Sequence, residues 1–302
     1  MSEHRDYYGQ GVVKEPEWTW EVPWYLFAGG MAGVSSALAA TAALAGNERL
    51  ARTARFVAAA GTAVSPPLLI ADLGRPARFL NMLRVFKPTS AMSVGSWILF
   101  TYSPFSLGAA GLEATGRLPR VKRLLDTGAA LLGPALTTYT AVLVADSSIP
   151  VWHEGRDHLP VVFAGSGAMA AGAAALLLTD PAAAAPARRL AVGGALVELA
   201  ADEAMRRRLG ELGEVYELAD AGRFHTAAKA CTALGAALVA IGGRRRTPVT
   251  RAGAVALLVG SVCTRWAVYR AGFLSARDPK YVVAPQRERL SAGQGHRADP
   301  SG

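Results

Sequence analysis

Four stretches of this chain contain no charged residue at all: 23–46, 88–112, 127–145 and 159–179. They are continuous apolar runs, not alternations, and each approaches or exceeds the roughly 20 residues a helix needs to cross a bilayer core of about 30 Å. A fifth run, 56–71, is shorter, but Leu73 and Gly74 extend it past Asp72. Three further runs carry ionisable residues. Arg188 to Met205 holds Glu198, Asp202 and Glu203; Phe224 to Gly243 holds Lys229 near its start; Ala252 to Tyr269 holds Arg265. Each of these crosses a membrane only if its charged side chains face protein or water. Continuous runs suit helices and not barrel strands. The pattern therefore predicts an all-α polytopic membrane protein of about eight transmembrane helices, at about 23–46, 55–74, 90–112, 125–146, 159–179, 188–205, 224–243 and 250–272. Residues 1–19 form a polar N-terminal tail, 20–274 the membrane domain, and 275–302 a polar tail expected to be disordered.

Composition agrees. Of 302 residues, 51% are hydrophobic and 18% charged, against about 25% charged in a soluble protein of this size. The net charge of +9 is spread over short connections, as membrane topology explains, so nucleic-acid binding is a poor reading. No cleavable signal is visible, since the first apolar run follows a polar stretch and is long enough to stay in the membrane. Cys231 and Cys263 lie within apolar runs as small buried side chains; two cysteines cannot supply the four ligands of an iron–sulfur cluster.

With eight spans, the connections on one side are short: "NERLARTAR", "EATGRLPRVKR", "TDPAAAAPARR" and "GGRRRTPVTR". The other side carries "DLGRPARFLNMLRVFKPTS", "DSSIPVWHEGRDH", "RRRLGELGEVYELADAGRFH" and both termini. Elaborate loops usually carry function, and "LGELGEVYELADAGRF" suits a short amphipathic helix lying along that face. Lys and Arg occur on both sides, so the positive-inside rule does not decide orientation; the compact, acid-poor short loops lean towards the cytoplasm.

Several residues stand out chemically. Ionisable residues inside spans are functional candidates. Glu198 and Asp202 share one helix face, and Arg265 lies at a similar depth, able to pair with either. They either hold helices in register or carry protons. Glu21 opens the first span within "WTWEVPWYLF", an aromatic group at home in the interfacial belt and equally suited, with its acid, to a quinone ring. Tyr139 follows Pro134 in "LTTYTAVLVADSSIPVW"; a buried phenol there bonds either a neighbouring carbonyl or a ligand carbonyl. Asp72 ends the second span in "DLGRPARFL", where Arg75 and Arg78 can form a surface ion pair with it and Gly74 and Pro76 turn the chain. The five histidines, His4, His153, His158, His225 and His296, lie outside the depths of the firmest spans, so no pair clamps a haem between helices.

"VPWYLFAGGMAG", "DLGRPARFLNML…KPTSAMSVGSWILFTY", "TYTAVLVADSSIPVWHEGRDHLPVVFAGSGAMAAGAA" and "VELAADE", in that order, resemble the membrane subunit of polysulfide reductase and its NrfD-like relatives. The likeness covers about Trp20 to Arg270. It implies two four-helix bundles with no haem or metal of their own, binding menaquinone or ubiquinone near one membrane face. It also implies docking to a four-cluster iron–sulfur subunit that serves a molybdopterin-type catalytic subunit, in a bacterial cytoplasmic membrane. By the same resemblance, Tyr139 stands at the quinone-side tyrosine and Asp72 and Arg75 at the acid and base of D-L-G-R-P. Glu21 and Trp24 stand near the polar quinone contacts of the first span, where the relatives carry asparagine and histidine. Trp152 and His153 are expected in the wall.

The expected chemistry is two-electron, two-proton quinone redox, with Glu21 or Asp72 exchanging protons, Tyr139 bonding a carbonyl, and Glu198, Asp202 and Arg265 forming a proton path. Two alternatives remain: a proton-coupled secondary transporter using Glu198 and Asp202, and a structural anchor without an active quinone site.

Overall fold

The computed structural model describes residues 13–73, 75, 77–243 and 248–281. Among them the regular structure is helical. The elements are α1 (Glu21–Leu44), α2 (Glu48–Asp72), a short α3 (Ala77–Met82), α4 (Ala91–Thr115), α5 (Pro119–Ala145), a short α6 (Pro150–Glu154), α7 (Leu159–Leu178), α8 (Ala185–Leu209), a 3-10 helix (Gly210–Glu217), α9 (Ala219–Ile241) and α10 (Pro248–Arg277). Local signals set several ends. Asn47 caps α2 by accepting from the Leu50 amide at 3.2 Å. Ser90 caps α4, and Gly116 closes it in the left-handed conformation that glycine adopts without a Cβ penalty. Pro134 sits inside α5, which continues through it.

Six helices, α1, α2, α5, α7, α9 and α10, are long and apolar enough to cross a membrane. The expected count of eight is therefore not reached on length and hydropathy alone. The two remaining long helices fall short for different reasons. α8 carries Glu198, Asp202, Glu203 and Arg206 to Arg208, whereas α4 is diluted by Ser93, Ser96, Ser103 and Ser106.

Helices α1, α2, α4 and α5 pack on one another, and α7 to α10 form a second group; α1 and α5 meet α7, and α1 also meets α10. Small residues let the axes close up. A Cβ on Gly33 would come within 2.2 Å of the Gly133 carbonyl oxygen, and one on Gly194 within 2.4 Å of the Met169 amide. In lipid, where apolar burial no longer drives helices together, such close approach supplies the packing contact.

Polar side chains pin the first group internally. The Tyr102 hydroxyl donates to the Ala32 carbonyl at 2.8 Å and meets Ser36 at 2.7 Å. Arg55, buried at the start of α2, donates through Nε and Nη2 to both oxygens of Asp126 (2.7 and 2.8 Å) and through Nη1 to Glu113 (2.8 Å), which also accepts from Lys122. A bidentate Arg–carboxylate pair with its remaining donors engaged is the arrangement in which burying charge is tolerated.

The two faces are sewn separately. On the short-loop face, Arg49 reaches Asp180 and the Asn47 amide donates to the Ala183 carbonyl, both at 2.8 Å. On the other, Trp18 stacks on Trp152, Arg277 pairs with Glu15, and Lys280 with Glu214. The N-terminal segment, α6, the 3-10 helix and the end of α10 thus share one face.

Candidate functional site

That second face gathers most of the residues singled out by the sequence. Thr19, just before α1, reaches across to the end of α2. Its amide and its hydroxyl each donate to Asp72 Oδ1 at 2.9 Å, and the same hydroxyl contacts Glu21 Oε2. Two acids more than fifty positions apart in the chain therefore bracket a single hydroxyl. The surface ion pair anticipated for Asp72 takes a different form: among the described residues Asp72 is held by Thr19, while Arg75 is exposed and forms no ion pair with it. Gly74, Pro76 and the side chain of Arg78 lie outside the described residues.

Tyr139, on α5, is only 6% exposed. Its ring packs directly on the backbone of α4 at Gly95. It belongs to the same core cluster as Val22 and Leu69, which lie within one turn of Glu21 and Asp72. Among the described residues its hydroxyl proton finds no acceptor, while the Gly95 amide lies against its oxygen. Of the two possibilities the sequence left open, a neighbouring carbonyl or a ligand, the first is not realised. A buried hydroxyl left unsatisfied costs about 1–3 kcal/mol, and such groups call for an explanation.

Trp24 is 38% exposed and meets Phe27 edge-on, centroids 6.5 Å apart. Trp152 is fully buried with its polar atom already engaged: Nε1 donates to the Val268 carbonyl at 2.7 Å, and the ring stacks on Trp18 at 5.2 Å. His153, its neighbour on α6, is exposed and meets Arg156 at 2.9 Å. Trp152 thus welds α6 to α10, and His153 points away from it into solvent or headgroups.

Of the three residues expected along a proton path, Glu198 interacts electrostatically with both Asp202 and Arg265, and no salt bridge closes among them. Glu198 Oε1 accepts from Thr264 at 2.6 Å, and Oε2 has no partner among the described residues. Asp202 pairs with His225 at 2.9 Å, with Lys229 farther off at 4.0 Å. Arg265, 0% exposed, forms an ion pair with neither acid. Its Nη2 donates to the Phe163 carbonyl of α7 at 3.1 Å, its Nε lies 3.4 Å from the Leu26 carbonyl of α1, and its guanidinium sits 3.7 Å from the Phe163 ring centroid. It is a clamp between the two helix groups, with cation–π support. A water-sized void lies among Glu198, Asp202, Tyr216, His225 and Thr264.

Thr19, His225 and Tyr216 escaped the sequence reading. A threonine in an interfacial segment gives no signal of its own. His225 and Tyr216 sit where a polar connection enters a span, six residues after and three residues before the start of α9, and only folding brings them beside Asp202.

A family model described as polysulphide reductase, NrfD, matches residues 13–199, well over half of the chain. The chain belongs to this family. The NrfD match takes in Thr19, Glu21, Asp72, Tyr139 and Glu198 and stops short of Asp202, His225 and Arg265. No curated protein matches the chain. Membership of the NrfD family and six helices able to cross a bilayer make this a multi-pass membrane protein. Among the described residues, no group of three or more His, Cys, Asp or Glu is placed to hold a metal ion.

Proposed function

We propose that this NrfD-family chain is the quinone-reactive membrane subunit of a respiratory oxidoreductase, exchanging electrons between menaquinone or ubiquinone and a partner iron–sulfur subunit. All eight long helices span the bilayer in this reading. The serines that dilute α4 are spent inward: Ser96 and Ser103 donate to carbonyls of their own helix at 2.9 and 2.7 Å, and Ser106 meets Thr62 at 3.0 Å. The acids at the centre of α8 face α9 and α10.

The observation that carries the proposal is the buried Tyr139 hydroxyl, whose proton has no acceptor among the described residues. A quinone ring presents a carbonyl acceptor to such a donor and needs apolar walls, and Val22, Tyr25 and Leu69 supply them in the same cluster. Oxidation of a quinol releases two electrons and two protons, and reduction takes up the same. The Glu21 and Asp72 carboxylates, joined through Thr19 on the same face, are the candidate proton acceptors. One Thr19 hydroxyl links the two carboxylates, which brings Glu21, Thr19 and Asp72 together as one proton-exchange cluster in this reading. Trp24 and Arg75 shape the membrane-surface edge, and Trp152 and His153 belong to the seam and rim of the same face. Electrons leave or enter through a four-cluster iron–sulfur subunit docked on this face, which serves a molybdopterin-type catalytic subunit. In the second helix group, Glu198, Asp202 and His225 store and relay protons, with Arg265 fixing the charge balance between the groups.

The test is quinone-linked turnover of the native complex carrying Tyr139→Phe, Glu21→Gln or Asp72→Asn. The proposal expects intact assembly for each, turnover about tenfold lower for Tyr139→Phe, and lost turnover for Glu21→Gln and Asp72→Asn. Full turnover in all three would reduce the chain to a structural anchor.

A further inference from the structure

Val268 and Tyr269, consecutive residues of α10, both reach the segment that leads into α1. The Val268 carbonyl accepts from Trp152 Nε1 at 2.7 Å, and the Trp18 ring stacks on Trp152 at 5.2 Å. Gly272, one turn on, makes room for the Trp152 ring, since a Cβ there would come within 2.0 Å of it. The Tyr269 hydroxyl donates to the Trp18 carbonyl at 2.7 Å. Tyr269 is itself held in place: it is buried in the same core cluster as Val22, with Phe273 at 4.8 Å and Trp266 at 5.7 Å between ring centroids.

The Trp18 carbonyl and the Thr19 amide are two ends of one peptide group. Such a group is a rigid plane, and in its trans form the C=O and N–H point in opposite directions. Holding the carbonyl towards α10 therefore aims the amide away from α10, where it meets Asp72 Oδ1 of α2 at 2.9 Å. A carbonyl that accepts a hydrogen bond also polarises its own peptide group, which strengthens the bond its amide donates. The Thr19 hydroxyl contacts Glu21 and Asp72 as well, so a turn of this peptide moves the link between both acids. We propose that Tyr269 is a positioning residue for the candidate site: through the Trp18–Thr19 peptide it fixes the donors that hold Asp72. Its effect on turnover rests on the quinone reading above, whereas the aim of the peptide does not. The NrfD match ends at residue 199, so a residue of the second helix group, outside that match, sets the geometry of an acid in the first.

The experiment follows hydrogen exchange of the Thr19 amide, read by mass spectrometry from overlapping peptides of the purified native complex. Wild type is compared with Tyr269→Phe and Tyr281→Phe. Each variant deletes one phenolic hydroxyl near the end of the chain, but Tyr281 donates to Glu214 and not to Trp18. Tyr269→Phe should speed exchange at Thr19 about fivefold, the loss of one hydrogen bond. Tyr281→Phe should leave it unchanged. In quinone-linked turnover, Tyr269→Phe should lower kcat several-fold at an unchanged KM, because it disturbs proton exchange and not the hold on the ring. Unchanged exchange at Thr19 in Tyr269→Phe overturns the proposal. So does an equal rise in Tyr281→Phe, the mark of a general loosening of α10. A raised KM with kcat intact also overturns it, since that would place Tyr269 against the substrate. If the wild-type complex turns over no quinone while the exchange difference persists, the quinone reading fails and the aim of the peptide at Asp72 stands.

Discussion

Tyr139 lies so close to Gly95 that a β-carbon on the glycine would come within 1.8 Å of the ring and 2.4 Å of its hydroxyl oxygen. The glycine is what admits a whole phenol between α4 and α5 while leaving its hydroxyl proton free. Gly95→Ala should push the ring aside at an overpacking cost of about 1–3 kcal/mol, lowering both the melting temperature of the complex and its quinone-linked turnover. Tyr139→Phe should separate the two effects. It removes a hydroxyl whose proton is unsatisfied, so stability should hold or rise slightly, while turnover falls about tenfold, the worth of one hydrogen bond. Thermal unfolding and turnover measured on the same preparations check both.

Thr19→Val deletes the hydroxyl shared by Glu21 and Asp72 but keeps the amide that also donates to Asp72. We expect turnover to fall several-fold, in keeping with about 1 kcal/mol per hydrogen bond, and Thr19→Ser to restore it. A Thr19→Val complex with wild-type turnover across pH would show that the two acids act without their common donor.

On α9, His225 is the close partner of a buried carboxylate, Asp202. Removing one partner of a buried hydrogen bond leaves the other unsatisfied, at a cost of about 1–3 kcal/mol. His225→Leu should therefore lower the melting temperature in detergent more than His153→Leu, whose ring is exposed. Equal shifts would place His225 outside the second group's core.

The end of α10 is latched to the 3-10 helix through Glu214, which accepts from Lys280 and from the Tyr281 hydroxyl. The Lys280 and Tyr281 donors hold the Glu214 carboxyl below its usual range, and the Glu214 carboxylate raises Lys280. For Glu214, depressed in the folded state, the stabilisation is full above the unfolded value of about 4.3 and lost as pH falls through the lower folded value. For Lys280, raised in the folded state, it is full below about 10.4 and lost as pH rises through the higher folded value. Protease cleavage after Lys280 should thus stay slow across neutral pH and quicken in strong acid or base, with Glu214→Gln flattening the profile.

The helices were legible because lipid imposes a one-dimensional rule: long apolar runs with every backbone group bonded internally. That rule also explains where legibility ended. α4 was legible as an uncharged run but falls short on hydropathy; Ser96 and Ser103 turn to carbonyls of their own helix and Ser106 to Thr62 of α2. Arg265 invited pairing with Glu198 or Asp202 because sequence gives depth but not azimuth; its side chain turns instead to carbonyls of α1 and α7. Asp72 was expected to pair with Arg75 and Arg78; Arg78's side chain lies outside the described residues, Arg75 makes no ion pair with Asp72, and a threonine just before α1 holds it. Tyr139 was identifiable from its motif, but that its hydroxyl proton finds no acceptor depends on the packing of Gly95, a relationship between two helices. His225 and Tyr216 carried no local signal and became visible only beside Asp202.

The most direct measurement is to purify the tagged chain in mild detergent from its native membrane, identify the copurifying subunits, and extract and quantify quinone, for wild type and Tyr139→Phe side by side. The account predicts a wild-type complex holding an iron–sulfur subunit and bound quinone, and a Tyr139→Phe complex of the same subunits with less quinone. A chain isolated alone, free of iron and of quinone, or a variant that retains quinone as fully as wild type, would contradict it.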